Sequence, residues 1–120
     1  VLVVDDTPDS IMVLCALLKG RYDTRVAISG EVALRVLGST PVDLVLLDAV
    51  MPAMDGYEVC RRIRANPATA GIPVVFLTAQ SAPEDAARAA AVGASGHLVK
   101  PVEPAGLLAM LERFLGQAGH

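Results

Sequence analysis

Leu44-Val45-Leu46-Leu47 is apolar at every position, and this run constrains the fold more than any other stretch. A strand with one face in water alternates apolar and polar residues. A strand that is apolar throughout is buried on both faces, as in parallel sheets covered by helices. The run stops at Asp48, and Pro52 follows four residues later. A carboxylate at the end of a buried strand points into whatever crevice lies at the edge of the sheet. Taken alone, Asp48 is as readily a turn cap as a functional group.

The rest of the chain repeats a strand–helix alternation around that run. Val1-Leu2-Val3-Val4 reads as a short strand ending in Asp5-Asp6. Thr7-Pro8 then opens a helix, with Thr7 as N-cap, Pro8 at the first helical position, and Ile11, Leu14, Cys15 and Leu18 on its apolar stripe. Gly20 stops it. Residues 23–27 form a weaker strand, and 30–37 a short helix closed by Gly38. Asp55 and Glu58 resemble a capping box at the head of a helix that buries Val59, Cys60 and Ile63 and turns Arg61, Arg62 and Arg64 to water. Residues 72–77 form a fourth strand with Pro73 near its start, and Thr78 ends it. Ser81 and Glu84 repeat the capping pattern before an alanine-rich helix ended by Gly93. Residues 96–99 form a fifth strand ending in Lys100-Pro101, and Glu103-Pro104 opens a last helix with Leu108, Leu111 and Leu115 in one stripe. Five strand–helix units predict an α/β fold: a doubly wound, five-stranded parallel sheet with right-handed crossovers and five helices on two faces. The second strand carries nothing ionisable at its end and is placed outermost, which gives the order 2-1-3-4-5.

Composition narrows the function. At 120 residues the chain is read as one domain over 1–120, with 116–120 as a frayed tail or the start of a linker. Aromatics make up only 3% and Trp is absent, so the core must come from Val, Leu, Ile and Ala. A net charge of −3 gives no electrostatic case for direct nucleic-acid binding. Cys15 and Cys60 lack a metal-ligand spacing and read as reduced core thiols. No apolar run approaches the ~20 residues of a membrane span, and no signal peptide is visible. The expected location is cytoplasmic. Because the chain opens directly in a strand, an upstream domain remains open.

Four strand ends carry polar residues suited to chemistry: Asp5-Asp6, Asp48, Thr78 and Lys100. In a parallel sheet all of these lie along one edge, where ligands of such folds bind. Three carboxylates brought together cannot all stay ionised without compensation, and one lysine offsets only part of their charge. A hard divalent cation offsets the rest. Oxygen-only ligands favour Mg²⁺, with Mn²⁺ as a substitute, over zinc. A cation beside a carboxylate, with a hydroxyl and a lysine alongside, is an arrangement for phosphoryl transfer, with Asp48 as nucleophile.

The stretches Val3-Val4-Asp5-Asp6, Leu47-Asp48-Ala49-Val50-Met51-Pro52, Met54-Asp55-Gly56, Leu77-Thr78-Ala79 and Lys100-Pro101, in this order and spacing, resemble a response regulator receiver domain of two-component signalling. The resemblance covers essentially the whole chain. It implies that Asp48 accepts a phosphoryl group from a histidine kinase or histidine phosphotransfer protein. It implies that Asp5, Asp6, Asp48 and the main-chain carbonyl of Val50 hold Mg²⁺, Asp5 through water, and that Thr78 and Lys100 bind the phosphoryl group. It also implies a cis bond before Pro101. Thr78 and an aromatic three positions before the lysine normally act as the switch, but that position here is His97. His97 switches in the same way, adds pH sensitivity, or sits exposed on an edge strand; the last is favoured because a lone His is usually structural. Val50 and Gln80 occupy the positions that tune phosphoryl lifetime, and an apolar Val50 predicts a long-lived acyl phosphate.

Two classes of function follow. One is a signalling switch, not an enzyme beyond its own phosphorylation and dephosphorylation, read out on the fourth helix, fifth strand and fifth helix. It would serve a possible output domain in the same full-length chain, without membrane or direct nucleic-acid contact. The other is an aspartyl-phosphate phosphatase of similar fold. Such enzymes carry a second acid two residues after the nucleophile, where this chain has Val50. A flavin module is poorer, since Asp5-Asp6 would repel its phosphate. Without GxGxxG or GxxxxGK[ST], nucleotide binding lacks support.

Overall fold

A computed structural model describes residues 1–49, 51, 54–78, 83–100 and 102–115. Its elements run β1 (Leu2–Val4), α1 (Pro8–Leu18), β2 (Arg25–Ala27), α2 (Gly30–Ser39), β3 (Val45–Asp48), α3 (Gly56–Ala65), β4 (Val74–Thr78), α4 (Pro83–Ala91), β5 (Gly96–Val99) and α5 (Pro104–Leu115). All strands are parallel and lie in the order β2-β1-β3-β4-β5. The fold class and strand order match the sequence expectation.

The period-2 alternation of the strands sorts the core into two layers. Leu2, Val4, Val45, Leu47, Val74 and Phe76 pack on one face, against Ala33 and Leu37 of α2, Val59, Cys60 and Ile63 of α3, and Ala89 of α4. Val3, Leu46, Val75 and Leu77 pack on the other, against Leu14 and Leu18 of α1 and Leu107 and Leu111 of α5. Residues 44–47 are all fully buried, as a strand covered on both sides requires.

Several local expectations change. Thr7 sits at the N-cap position of α1, but its side chain makes no capping bond. The Asp5 carboxylate accepts the Thr7 N–H instead, at 2.9 Å. β2 keeps only Arg25–Ala27 of the expected 23–27, and β4 starts at Val74, after Pro73. Gly38 does not close α2, which runs on to Ser39. In α3 Asp55 caps as expected, accepting the Glu58 N–H at 2.9 Å. The Glu58 carboxylate turns outward to Arg61 and Arg62 instead of completing the box. Cys15 is half-buried, off the core stripe of α1. Leu107, not Leu108, heads the buried stripe of α5. The Ser81–Glu84 pattern, the Lys100-Pro101 bond and the tail from 116 lie outside the described residues or side chains.

Arg64 is the largest correction. It does not face water. Its guanidinium donates to the carbonyls of Gly93 (2.9 Å), Ala70 (3.0 Å) and Ile72 (2.6 Å), and reaches Ser95 Oγ at 3.4 Å. It ties the end of α3 to the turn after α4, where Gly93 adopts φ 90°. Five donors in a planar fork suit several carbonyls at once.

Candidate functional site

Backbone bonds carry the ladder past the strand ends and so align the polar residues at the carboxyl edge. The N–H of Asp5 donates to Ala27 O (3.1 Å), that of Ala49 to Leu77 O (3.0 Å) and that of Lys100 to Thr78 O (2.6 Å). Within the sheet, Asp48 stands opposite Leu77 and Thr78 opposite Val99. Four strand ends therefore lie along one edge.

Asp5 is fully buried, and Asp48 and Thr78 are buried. Asp6 is exposed. Asp5, Asp6 and Asp48 each offer a carboxylate oxygen, and the three oxygens lie within 4.8 Å of one another. The Lys100 ammonium stands between two of these acids, 3.1 Å from Asp5 Oδ2 and 3.4 Å from Asp48 Oδ2. The other oxygen of Asp5 holds the Thr7 N–H, so Asp5 fixes both the lysine and the entry to α1. Burial works against the charged ammonium. The hydrogen bond to Asp5 and the charges of Asp48 and Asp5 outweigh it and hold Lys100 above the ordinary lysine value.

Three carboxylates face one ammonium, and the donor set is all oxygen. That chemistry fits a hard divalent cation which keeps several waters, and fits zinc poorly. The structure brings Asp5, Asp6, Asp48 and Lys100 together, with Thr78 at the adjacent strand end. His97 lies exposed on β5, away from the core. Val50, Gln80 and Pro101 lie outside the described residues.

The floor of the site rests on a glycine whose closeness the sequence did not reveal. A Cβ on Gly56 would lie 2.2 Å from the Asp48 carbonyl oxygen and 2.9 Å from Ala49 Cα. The Gly56 N–H also donates to Ala49 O at 3.1 Å. The N-terminus of α3 can press against the backbone of Asp48 only because no side chain intervenes. The Asp55-Gly56 pair was the available signal, and it reads more readily as an ordinary helix start than as part of a site.

The response regulator receiver domain model matches residues 1–112. A curated relative from Vibrio cholerae, named a probable cyclic di-GMP phosphodiesterase, is 49% identical over 102 residues, which is 85% of this chain and 23% of that protein. The chain spans about a quarter of the length of the first curated relatives it matches. Among solved structures, the Vibrio cholerae chemotaxis protein CheY4 matches with a TM-score of 0.90 and 34% identity, covering 95% of this chain and 96% of that one. The receiver domain of the Pseudomonas aeruginosa sensor histidine kinase PA1611, with a magnesium ion coordinated in its active-site cleft, matches with a TM-score of 0.88 and 31% identity, covering 97% and 96%. With a family match over nearly its whole length and solved receiver domains that superpose on almost all of it, this chain belongs to the response regulator receiver domains of two-component signalling.

Proposed function

We propose that the 120 residues form one receiver domain that acts as a phospho-acceptor switch, with Asp48 taking the phosphoryl group from a histidine kinase or histidine phosphotransfer protein. The observation that carries this reading is Lys100 set between Asp5 and Asp48 beside a three-carboxylate cluster. Asp5, Asp6, Asp48 and the Val50 carbonyl would hold Mg²⁺, or Mn²⁺ in its place. When bound, the cation supplies charge neutralisation that lets an anionic phosphoryl donor approach an acidic cluster.

The chain's own residues do the rest. A carboxylate oxygen of Asp48 attacks phosphorus, and the bond to the donor nitrogen or oxygen breaks. The products are an acyl phosphate and the free donor. Asp5 holds Lys100 in place, and the ammonium pairs with the transferring group's oxygens. Thr78 donates its hydroxyl to another of those oxygens. Phosphorylation puts a phosphoryl group of about −1.5 to −2 charges at one strand end in place of the single carboxylate charge, drawing Thr78 and Lys100 inward and biasing the α4–β5–α5 surface. His97 takes no part in that movement, and the acyl phosphate is long-lived because Val50 cannot position water.

The phosphatase reading is disfavoured by Val50, so the domain catalyses only its own modification. Among the described residues no helix is long and apolar enough to cross a membrane, which fits a cytoplasmic domain. Relatives named as a phosphodiesterase and as DNA-binding regulators suggest an output domain in the full-length chain. Incubation with acetyl phosphate and Mg²⁺ tests the proposal. One phosphoryl mass gained, slowly lost, and absent in Asp48→Asn or without Mg²⁺ supports it. Rapid multiple turnover to free phosphate supports the phosphatase, and the absence of both mass gain and phosphate release refutes both.

A further inference from the structure

We infer that Arg88 holds α4 in its unphosphorylated position and is released when Asp48 is loaded, taking over the coupling that an aromatic on β5 would provide. The inference rests on the phospho-acceptor reading. β5 offers no buried aromatic, since His97 and Val99 are exposed and Gly96 and Leu98 half-buried. The aromatic nearest the acceptor strand's packing lies elsewhere. Tyr57 of α3, 5% exposed, stacks on Phe76 of β4 with ring centroids 5.0 Å apart. Phe76 in turn stands opposite Leu47, one residue before Asp48.

Arg88 of α4 reaches both ends of this arrangement. Its guanidinium carbon lies 4.1 Å from the Tyr57 ring centroid, and its Nη2 3.6 Å from Asp55 Oδ2. One side chain of α4 is therefore gripped by Tyr57 of α3 and by Asp55, the N-cap of that helix. The two helices differ in how firmly they are fixed to the site. On α3, Asp55 is pinned by its capping bond to Glu58 N, and Gly56 is pressed on the carbonyl of Asp48. On α4, Ala89 is the one buried residue among 87–91. Pro83 begins that helix only five residues after Thr78, so a pull on Thr78 moves α4 while the α3 end stays fixed. The grip is weak enough to break. Arg88 and Asp55 are 60% and 42% exposed, a setting in which an ion pair and a cation–π contact are each worth little.

The test is the affinity of the Mg²⁺-loaded chain for beryllium trifluoride, a phosphoryl mimic, by amide chemical-shift titration. Arg88→Gln removes a contact made only in the unloaded state, so it should tighten binding about two- to five-fold although Arg88 lies outside the site. Arg88→Lys keeps the charge and should fall nearer the parent. Asp55→Asn keeps the helix cap, and combined with Arg88→Gln it should add nothing further. An unchanged or weaker affinity for Arg88→Gln, or independent effects of the two substitutions, overturns the inference. A merely structural role would lower the melting temperature and leave the affinity alone. If the parent chain does not bind the mimic, the acceptor reading fails and the release fails with it. Hydrogen exchange of amides 87–91 then decides the holding contact, with faster exchange in Arg88→Gln expected and unchanged exchange refuting it.

Discussion

Replacing Asp48 by Asn should stabilise the chain when metal is absent and destabilise it relative to the parent when metal is present. Asp48 gains from Lys100 at 3.4 Å and loses to the oxygens of Asp5 and Asp6 within 4.8 Å. At an effective dielectric of about 20, the attraction is about 5 kcal/mol and each repulsion at least about 3.5 kcal/mol. Solvent screens the Asp6 share, because Asp6 is exposed. The two repulsions then about balance or slightly exceed the attraction. Asp48 is also buried, and a buried carboxylate costs more than a buried amide. The net gain for Asp48→Asn is about 1 kcal/mol, or about 3–6 °C in melting temperature. Mg²⁺ at a hundredfold excess over its dissociation constant stabilises the parent by about 2.7 kcal/mol. The proposed Mg²⁺ site loses one ligand in the variant, which therefore gains less, so the order reverses. Urea unfolding followed by circular dichroism, in EDTA and in Mg²⁺, measures both. A variant less stable than the parent in EDTA, or equal gains from Mg²⁺ in both chains, would refute the electrostatic account.

Three further outcomes follow from other parts of the structure. Gly56→Ala forces a Cβ into backbone that cannot yield, so it should cost about 1–3 kcal/mol by urea unfolding despite alanine's better helix propensity; a neutral result contradicts the packing described. Arg64→Ala should cost about 2–3 kcal/mol, with Arg64→Lys recovering only part, because one ammonium cannot serve three carbonyls; equal stabilities of the Lys variant and the parent would count against the staple. The value of Lys100 is raised in the folded chain from an ordinary 10.5, so its contribution is complete below that pH and lost as pH rises through the higher folded value; Lys100→Met should flatten this alkaline decline, and an unchanged pH profile would contradict it.

The fold was legible because each strand carries its burial in its own residues. Residues 44–47 are apolar on both faces, and helix starts such as Asp55 announce themselves locally. The order of strands followed from which ends are polar, and the acidic edge followed from the strands being parallel. What the sequence hid are contacts between residues far apart in the chain. Arg64 looks like Arg61 and Arg62, yet it sits beside buried Ile63 at the rim of the apolar face and finds carbonyls up to 29 residues away. Its place one position after Ile63 was the only available sign. Thr7 looked like a cap because of the proline that follows it, but its side chain makes no capping bond, and the Thr7 N–H itself is held by the buried Asp5. Leu107 and Leu108 differ by one helical step, which periodicity read at ±1 residue does not resolve.

The central claim is that Asp48, and neither of its acidic neighbours, carries the phosphoryl group. The most direct measurement treats the chain with acetyl phosphate and Mg²⁺, reduces the acyl phosphate with borohydride, and maps the resulting homoserine by peptide mass spectrometry. The account predicts homoserine at position 48 alone. Homoserine at position 5 or 6, or none in a chain that has gained phosphoryl mass, would contradict it.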